Sequence, residues 1–304
     1  MKDSRFILIF IDGLGLGAKG SNNPLTLARM PTLHKLIDGV LDDSVNKYGP
    51  DIICKGIDAT LGVPGIPQSA TGQTALFTGV NAAKYLGYHL PAFPDETLVG
   101  VIQQHSVLKQ IAGRGLKGCF ANAYRPDYFE NTDSYSVTTH CVLAADLPFL
   151  FVNDLLAHKA VYWDITNSHL HHQYDQSIPI ISPHDAGKNL TAIASHHQLT
   201  IFECFESDLI GHRKDMEHAI LFLEKLDVFL SGVLENLADD TTVILSSDHG
   251  NIEALDHGAH TLNPVPLLVI GDQSAAFSQV KSIVDVVPII LSVLPRAELQ
   301  RSGM

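Results

Sequence analysis

Short apolar runs that alternate with helical patterns constrain this chain more than any other feature. Six runs read as buried strands, over residues 6–11, 117–123, 160–166, 199–205, 242–247 and 266–270. Most of them place apolar side chains on successive positions, as strands covered on both faces do. Helical patterns lie between them at 24–40, 96–112, 215–237 and 282–294. In the third, Ala219, Leu223, Leu226, Leu230 and Val233 fall on one helical face. The alternation predicts an α/β fold, a mostly parallel sheet flanked by helices on both faces. Residues 125–182 break the pattern: they are rich in His, Tyr, Asp and Asn and poor in clean periodic stretches. They are expected to form a small inserted cap, leaving 1–124 and 183–304 as the core.

Composition narrows the partners. Acidic residues number 33 against 20 Lys and Arg, for a formal net charge of -13. A nucleic-acid binder shows the opposite balance. The 16 His beside so many acids suit metal ions. The apolar run 6–11 falls far short of the roughly 20 residues that span a bilayer. With no secretory pattern and four widely spaced cysteines, the expected compartment is a reducing cytoplasm.

In an open α/β sheet, ligands gather beyond the C-terminal strand ends. Asp12 follows the first run directly, Asp208 lies just past the fourth, and Asp248 follows the fifth. Asp208 and His212 are four apart, so on a helical turn they share a face. Asp248 and His249 are adjacent, and Gly250 permits a turn there. His260 precedes the last strand on a Pro-punctuated loop. The Pro- and Gly-rich stretch ending at Pro67-Gln68 delivers Ser69 to a helix start, where free N–H groups and a positive dipole end suit a hydroxyl nucleophile and a phosphoryl group. Any one of these acids alone would be an ordinary helix cap; the set points to metal-assisted chemistry.

Together the segments 10–17, 67–79, 208–215, 247–253, 260–266 and 284–291 resemble the alkaline phosphatase superfamily of two-metal phosphoryl-transfer enzymes, most closely its branch of cofactor-independent phosphoglycerate mutase and phosphopentomutase. The resemblance implies that Asp12, Asp248 and His249, with the nucleophile Ser69, hold one divalent ion, and that Asp208, His212 and His260 hold the other. It implies Mn or Zn, with Mg possible, and a phosphoserine intermediate attacked by water or by a second substrate hydroxyl. Two departures stand out. Gln73 occupies a position where the mutase branch usually has His, and the large mutase cap is absent.

A small cap excludes water poorly, and Arg residues that would match a phosphoglycerate are few. Hydrolysis of a small phosphate ester is therefore expected ahead of mutase or phosphodiesterase activity. Arg125, Lys84 and Asn167 are candidate substrate contacts, with Tyr124, Tyr128, Trp163 and Asp164 as further pocket candidates. Thr71 is a fallback nucleophile, and His169, His171 and His172 a possible further ion site. Two rivals are a catalytically silent metal-binding relative and a nucleotide-dependent oxidoreductase. The second rests on Gly15-x-Gly17-x-x-Gly20, which is followed by Ser21-Asn22-Asn23-Pro24 rather than by an immediate helix. The partner expected is a small phosphorylated molecule, with neither nucleic acid nor membrane.

Overall fold

The computed structural model describes residues 4–130 and 134–295. Residues 1–3, 131–133 and 296–304, which fall within the expected core and insertion, lie outside the described residues. The strands are β1 (Arg5–Ile11), β2 (Asn46–Tyr48), β3 (Ile52–Ile57), β4 (Gly118–Phe120), β5 (Ala123–Tyr124), β6 (Leu150–Phe151), β7 (Leu199–Cys204), β8 (Thr241–Ser246) and β9 (Val265–Ile270). The α-helices are α1 (Pro31–Ile37), α2 (Ser69–Thr78), α3 (Ala82–Leu86), α4 (Glu96–His105), α5 (Val107–Ala112), α6 (Val137–Ala144), α7 (Val152–Leu156), α8 (Ser168–Gln173), α9 (Pro183–Ala194), α10 (Glu206–Arg213), α11 (Met216–Glu235) and α12 (Val286–Val293).

The main sheet runs β2-β3-β9-β8-β1-β7-β4. Strands β8, β1, β7 and β4 are parallel, whereas β9 is antiparallel to β8 and β3 is antiparallel to β9. Strand β1 shows why both faces are covered. Ile7, Ile9 and Ile11 join one core with α9 and α11, and Phe6, Leu8 and Phe10 join the other with α2, α5 and α12. Each such fully buried side chain contributes roughly 1.5–3 kcal/mol. Among the described residues no helix is long and apolar enough to cross a membrane.

The reversal of β9 has a functional consequence. An antiparallel strand starts where its parallel neighbour ends, so the loop entering β9 arrives on the edge where β1, β7 and β8 finish. Strand β3, reversed again, ends on that edge beside Val265. One edge thereby collects the residues that follow β1, β3, β7 and β8 and those that precede β9.

Several expected elements differ. The 24–40 pattern is interrupted by Pro31, which has no N–H to continue a helix, and becomes a 3-10 turn followed by α1. The 96–112 pattern bends at Ser106, whose φ of -47° and ψ of 130° end α4 and start α5. Residues 160–166 form no strand: Val161 bridges Asn122, and the chain then turns through Ile165 at φ 73°. Strands β2 and β3 and helix α9 have no counterpart in the sequence pattern; in β3, Lys55 and Gly56 interrupt the apolar run. Within 125–182, α6 packs its Val137, Cys141 and Val142 into the second core, while Leu155, Ala160, Tyr162, Leu170 and Ile178 form a small separate cluster.

Candidate metal centre

Asp12 stands directly beyond β1, Asp248 and His249 beyond β8, and Asp208 and His212 on α10 beyond β7. His260 arrives on the loop before β9, and Ser69 opens α2. All seven meet at one sheet edge. The Ser69 hydroxyl lies 3.0 Å from His249 Nε2. That nitrogen also stands 3.3 Å from Asp12 Oδ1 and 3.4 Å from Asp248 Oδ2. On the other side, Asp208 lies 3.2 Å from His212 Nε2 and 3.4 Å from His260 Nε2. The rings of His249 and His260 stack with centroids 3.7 Å apart.

The donor atoms fall into two overlapping groups, Asp12, Asp248 and His249 and then Asp208, His249 and His260; within each the atoms lie within 4.8 Å of one another. His249 is thus common to both, and His212 borders the second.

Asp12 and Asp248 each have one oxygen anchored and one left toward the centre. Asp12 Oδ2 accepts the Gln73 side-chain amide at 3.0 Å, and Asp248 Oδ1 accepts the N–H groups of His249 at 3.1 Å and Gly13 at 3.4 Å. Asp12 Oδ1 and Asp248 Oδ2 are buried with no hydrogen-bond partner among the described residues. The three histidines share a second device. Nδ1 of His212 faces the Gly258 carbonyl at 2.7 Å, that of His260 the Pro67 carbonyl at 3.0 Å, and that of His249 the Gly250 carbonyl at 3.4 Å. An Nδ1–H directed at a carbonyl fixes the tautomer and leaves a lone pair on Nε2. The Nε2 atoms of His212 and His260 then face each other at 3.2 Å. Orphaned carboxylate oxygens and converging imidazole lone pairs are the donor set of a divalent cation, so the residues fit the metals that the sequence implies.

Electrostatics agree. Burial, reinforced by Asp248, Asp208 and Glu203, holds the Asp12 pKa well above the usual carboxylate range. Burial likewise raises Asp248, and it lowers His249 despite the nearby carboxylates. Burial also opposes ionisation of Asp208, but the His260 hydrogen bond and the surrounding imidazoles outweigh it and lower its pKa. His260 rises in turn, because Asp208 overcomes the effect of burial.

The remaining candidates make contacts of their own. Arg125 pairs with Asp127 at 3.1 Å and sits over the Tyr174 ring. Lys84 is exposed on α3. Asn167 is buried ahead of α8, its amide donating to the Pro179 carbonyl. Tyr124 and Tyr128 meet at the Thr139 hydroxyl, Trp163 stacks on Phe205 at 4.3 Å, and Asp164 accepts the Asn167 and His169 amides. Thr71 donates to the Gln68 carbonyl. His169 lies against Trp163, whereas the His171 and His172 rings meet edge to face with centroids 4.9 Å apart and His171 Nδ1 faces the Ile178 carbonyl.

Sequence reasoning missed several neighbours. Glu203 is buried on β7, accepts the Thr138 hydroxyl at 2.7 Å, and is pushed up to about 7 chiefly by burial. The backbone beside it is held by Asn122. A lone acid in an apolar strand was the signal available. Asn251, which donates to Asp208 Oδ1 at 2.9 Å, carried no signal of its own.

The family model described as the Metalloenzyme superfamily matches residues 4–295. The chain belongs to that superfamily. As a superfamily member it is 36% identical over 124 residues to the 2,3-bisphosphoglycerate-independent phosphoglycerate mutase of Desulforudis audaxviator, a stretch covering 38% of this chain and 24% of that protein. The chain thus spans about a quarter of the length of the curated relatives it matches. Among solved structures, a cold-active alkaline phosphatase from the psychrophile Shewanella sp. aligns with TM-score 0.61 at 10% identity, over 96% of this chain and all of that one (100%). Leishmania mexicana phosphoglycerate mutase aligns with TM-score 0.51 at 12% identity, over 99% of this chain and 97% of that one. These likenesses establish an alkaline-phosphatase-like α/β fold.

Proposed function

We propose that this superfamily member transfers phosphoryl groups from small phosphate esters through Ser69, and that water is the final acceptor. Asp12, Asp248, His249 and Ser69 would hold one divalent ion, and Asp208, His212 and His260 the other. Mn and Zn suit this mixture of carboxylates and imidazoles, and Mg is a weaker fit to the imidazoles. When bound, such ions lower the pKa of a coordinated hydroxyl and offset the charge of the transferring phosphoryl group.

The observation that carries the reading is the position of Ser69. Its hydroxyl sits at the first turn of α2, next to the paired donor sets, and that helix start has no side-chain cap. The free N–H groups of the turn are available to phosphoryl oxygens. Ser69 Oγ bonds to phosphorus as the ester P–O bond breaks; its proton passes to solvent and the leaving alkoxide takes one up. Water then bonds to phosphorus and gives up a proton, the P–O bond to Ser69 breaks as Ser69 Oγ takes one up, and inorganic phosphate leaves.

Hydrolysis is favoured over a mutase by exposure and charge. The His212 side chain is 45% exposed, so the centre reaches solvent at that residue. Arg125 is engaged with Asp127. A mutase is the second reading, favoured by the mutase names of the matched relatives. A screen of phosphomonoesters, diesters and sugar phosphates with added Mn or Zn tests the choice. Phosphate release from monoesters is expected. Isomerisation of phosphoglycerate or phosphopentose without phosphate release would favour the mutase.

A further inference from the structure

Glu253 is 2% exposed, yet it is not one of the metal-facing donors. Its Oε2 accepts the backbone N–H groups of Gly15 at 3.0 Å and Asn251 at 2.8 Å. Its Oε1 accepts the Thr261 hydroxyl and the Asn263 side-chain amide, the latter at 3.1 Å. The lone pairs of the carboxylate are matched by four donors.

Those donors belong to the segments that carry the centre. Gly15 lies on the loop leaving Asp12. Asn251 follows His249 by two residues and donates its own side-chain amide to Asp208 Oδ1. Thr261 follows His260, and its N–H reaches the Gly250 carbonyl at 2.9 Å. The glycines show how closely the side chain is enclosed. A Cβ on Gly15 or on Gly250 would stand 2.2 Å from Glu253 Oε1, and one on Gly17 would stand 3.0 Å from its Cγ. The first two glycines of the pattern that mimics a nucleotide fingerprint, Gly15 and Gly17, are therefore accounted for by the room this carboxylate needs.

We propose that Glu253 is the positioning residue of the metal centre, an inference that rests on the reading of these side chains as metal ligands. It fixes the loops bearing Asp12, His249 and His260 relative to one another and, through Asn251, orients Asp208. It touches no reacting atom. A single uncharged substitution would disturb this arrangement, because the side-chain NH2 of Gln would face two donors where the carboxylate offers acceptors.

The test is calorimetric titration of the chelator-treated full chain with MnCl2. Glu253→Gln should weaken Mn binding by roughly 10–100-fold, the usual cost of losing a residue that orients metal ligands. Thr261→Val, which removes one donor and leaves the carboxylate in place, should weaken it in the same direction by less, and it decides the matter if Glu253→Gln does not fold. A merely structural carboxylate would lower the melting temperature and leave the Mn affinity of the folded molecules unchanged; that result overturns the proposal. Wild-type protein that takes up neither Mn nor Zn would instead overturn the metal reading beneath it.

Discussion

His249 Nε2 lies 3.0 Å from the Ser69 hydroxyl and within 3.4 Å of both Asp12 and Asp248. One nitrogen thus joins the proposed nucleophile to two buried carboxylates whose inward oxygens have no hydrogen-bond partner among the described residues. Each prediction below perturbs one part of that arrangement.

Replacing the hydroxyl should separate chemistry from metal loading. Ser69→Ala is expected to cut turnover of an aryl phosphate by roughly 10³-fold or more. Metal content, measured by elemental analysis, should stay near the wild-type value, since the carboxylates and imidazoles remain. Retained turnover would move the nucleophile to Thr71 or to water.

Gln73 is the donor that fixes Asp12 Oδ2. Gln73→Leu keeps a comparable side-chain volume and removes that donor. Mn affinity should fall by roughly 10–100-fold, as for other residues that orient a ligand. Unchanged affinity would show that Asp12 is held by other contacts.

Glu203 gives a pH signature. Burial, opposed by Thr138 and aided by Asp248, pushes its carboxyl up to about 7. The folded state therefore holds this proton more tightly than the unfolded state does. No stability is lost below the unfolded carboxyl range, and stability is lost as the pH rises through about 7. Glu203→Gln removes that loss. Metal-free Glu203→Gln should melt above the wild type on the alkaline side of this value, and the advantage should disappear in acid. An advantage independent of pH would contradict the assignment.

Asp227, buried on α11, accepts the N–H groups of Thr32 at 3.0 Å and Leu33 at 2.8 Å at the start of α1. Asp227→Ala leaves those donors without their acceptor and should cost about 1–3 kcal/mol of stability. Metal affinity should not change, because α1 carries none of the ligands. Denaturant titration and calorimetry together check both halves.

The α/β class of the fold and the convergence of the candidate ligands on one sheet edge were both legible in the sequence. Asp12, Asp208, Asp248 and His249 stand out as a set, because helix capping accounts for any one acid at a strand end but not for three of them, two with a nearby His. His260 was harder to place, since its arrival depends on the reversal of β9, which is a pairing between distant segments. The split of the first helix at Pro31 was readable from local chemistry and was overlooked; β3 was not, because Lys55 and Gly56 break its pattern. Glu253 stands in the sequence as one more acid in a metal-rich segment. Its role is visible only when Gly15, Asn251, Thr261 and Asn263 are brought around it.

The most direct test of the central claim is acid-quench mass spectrometry of the Mn-loaded protein turning over an aryl phosphate. The account predicts a phosphoryl group on the peptide carrying Ser69, absent from Ser69→Ala. Full turnover with that peptide unmodified, and with Ser69→Ala equally active, would contradict it.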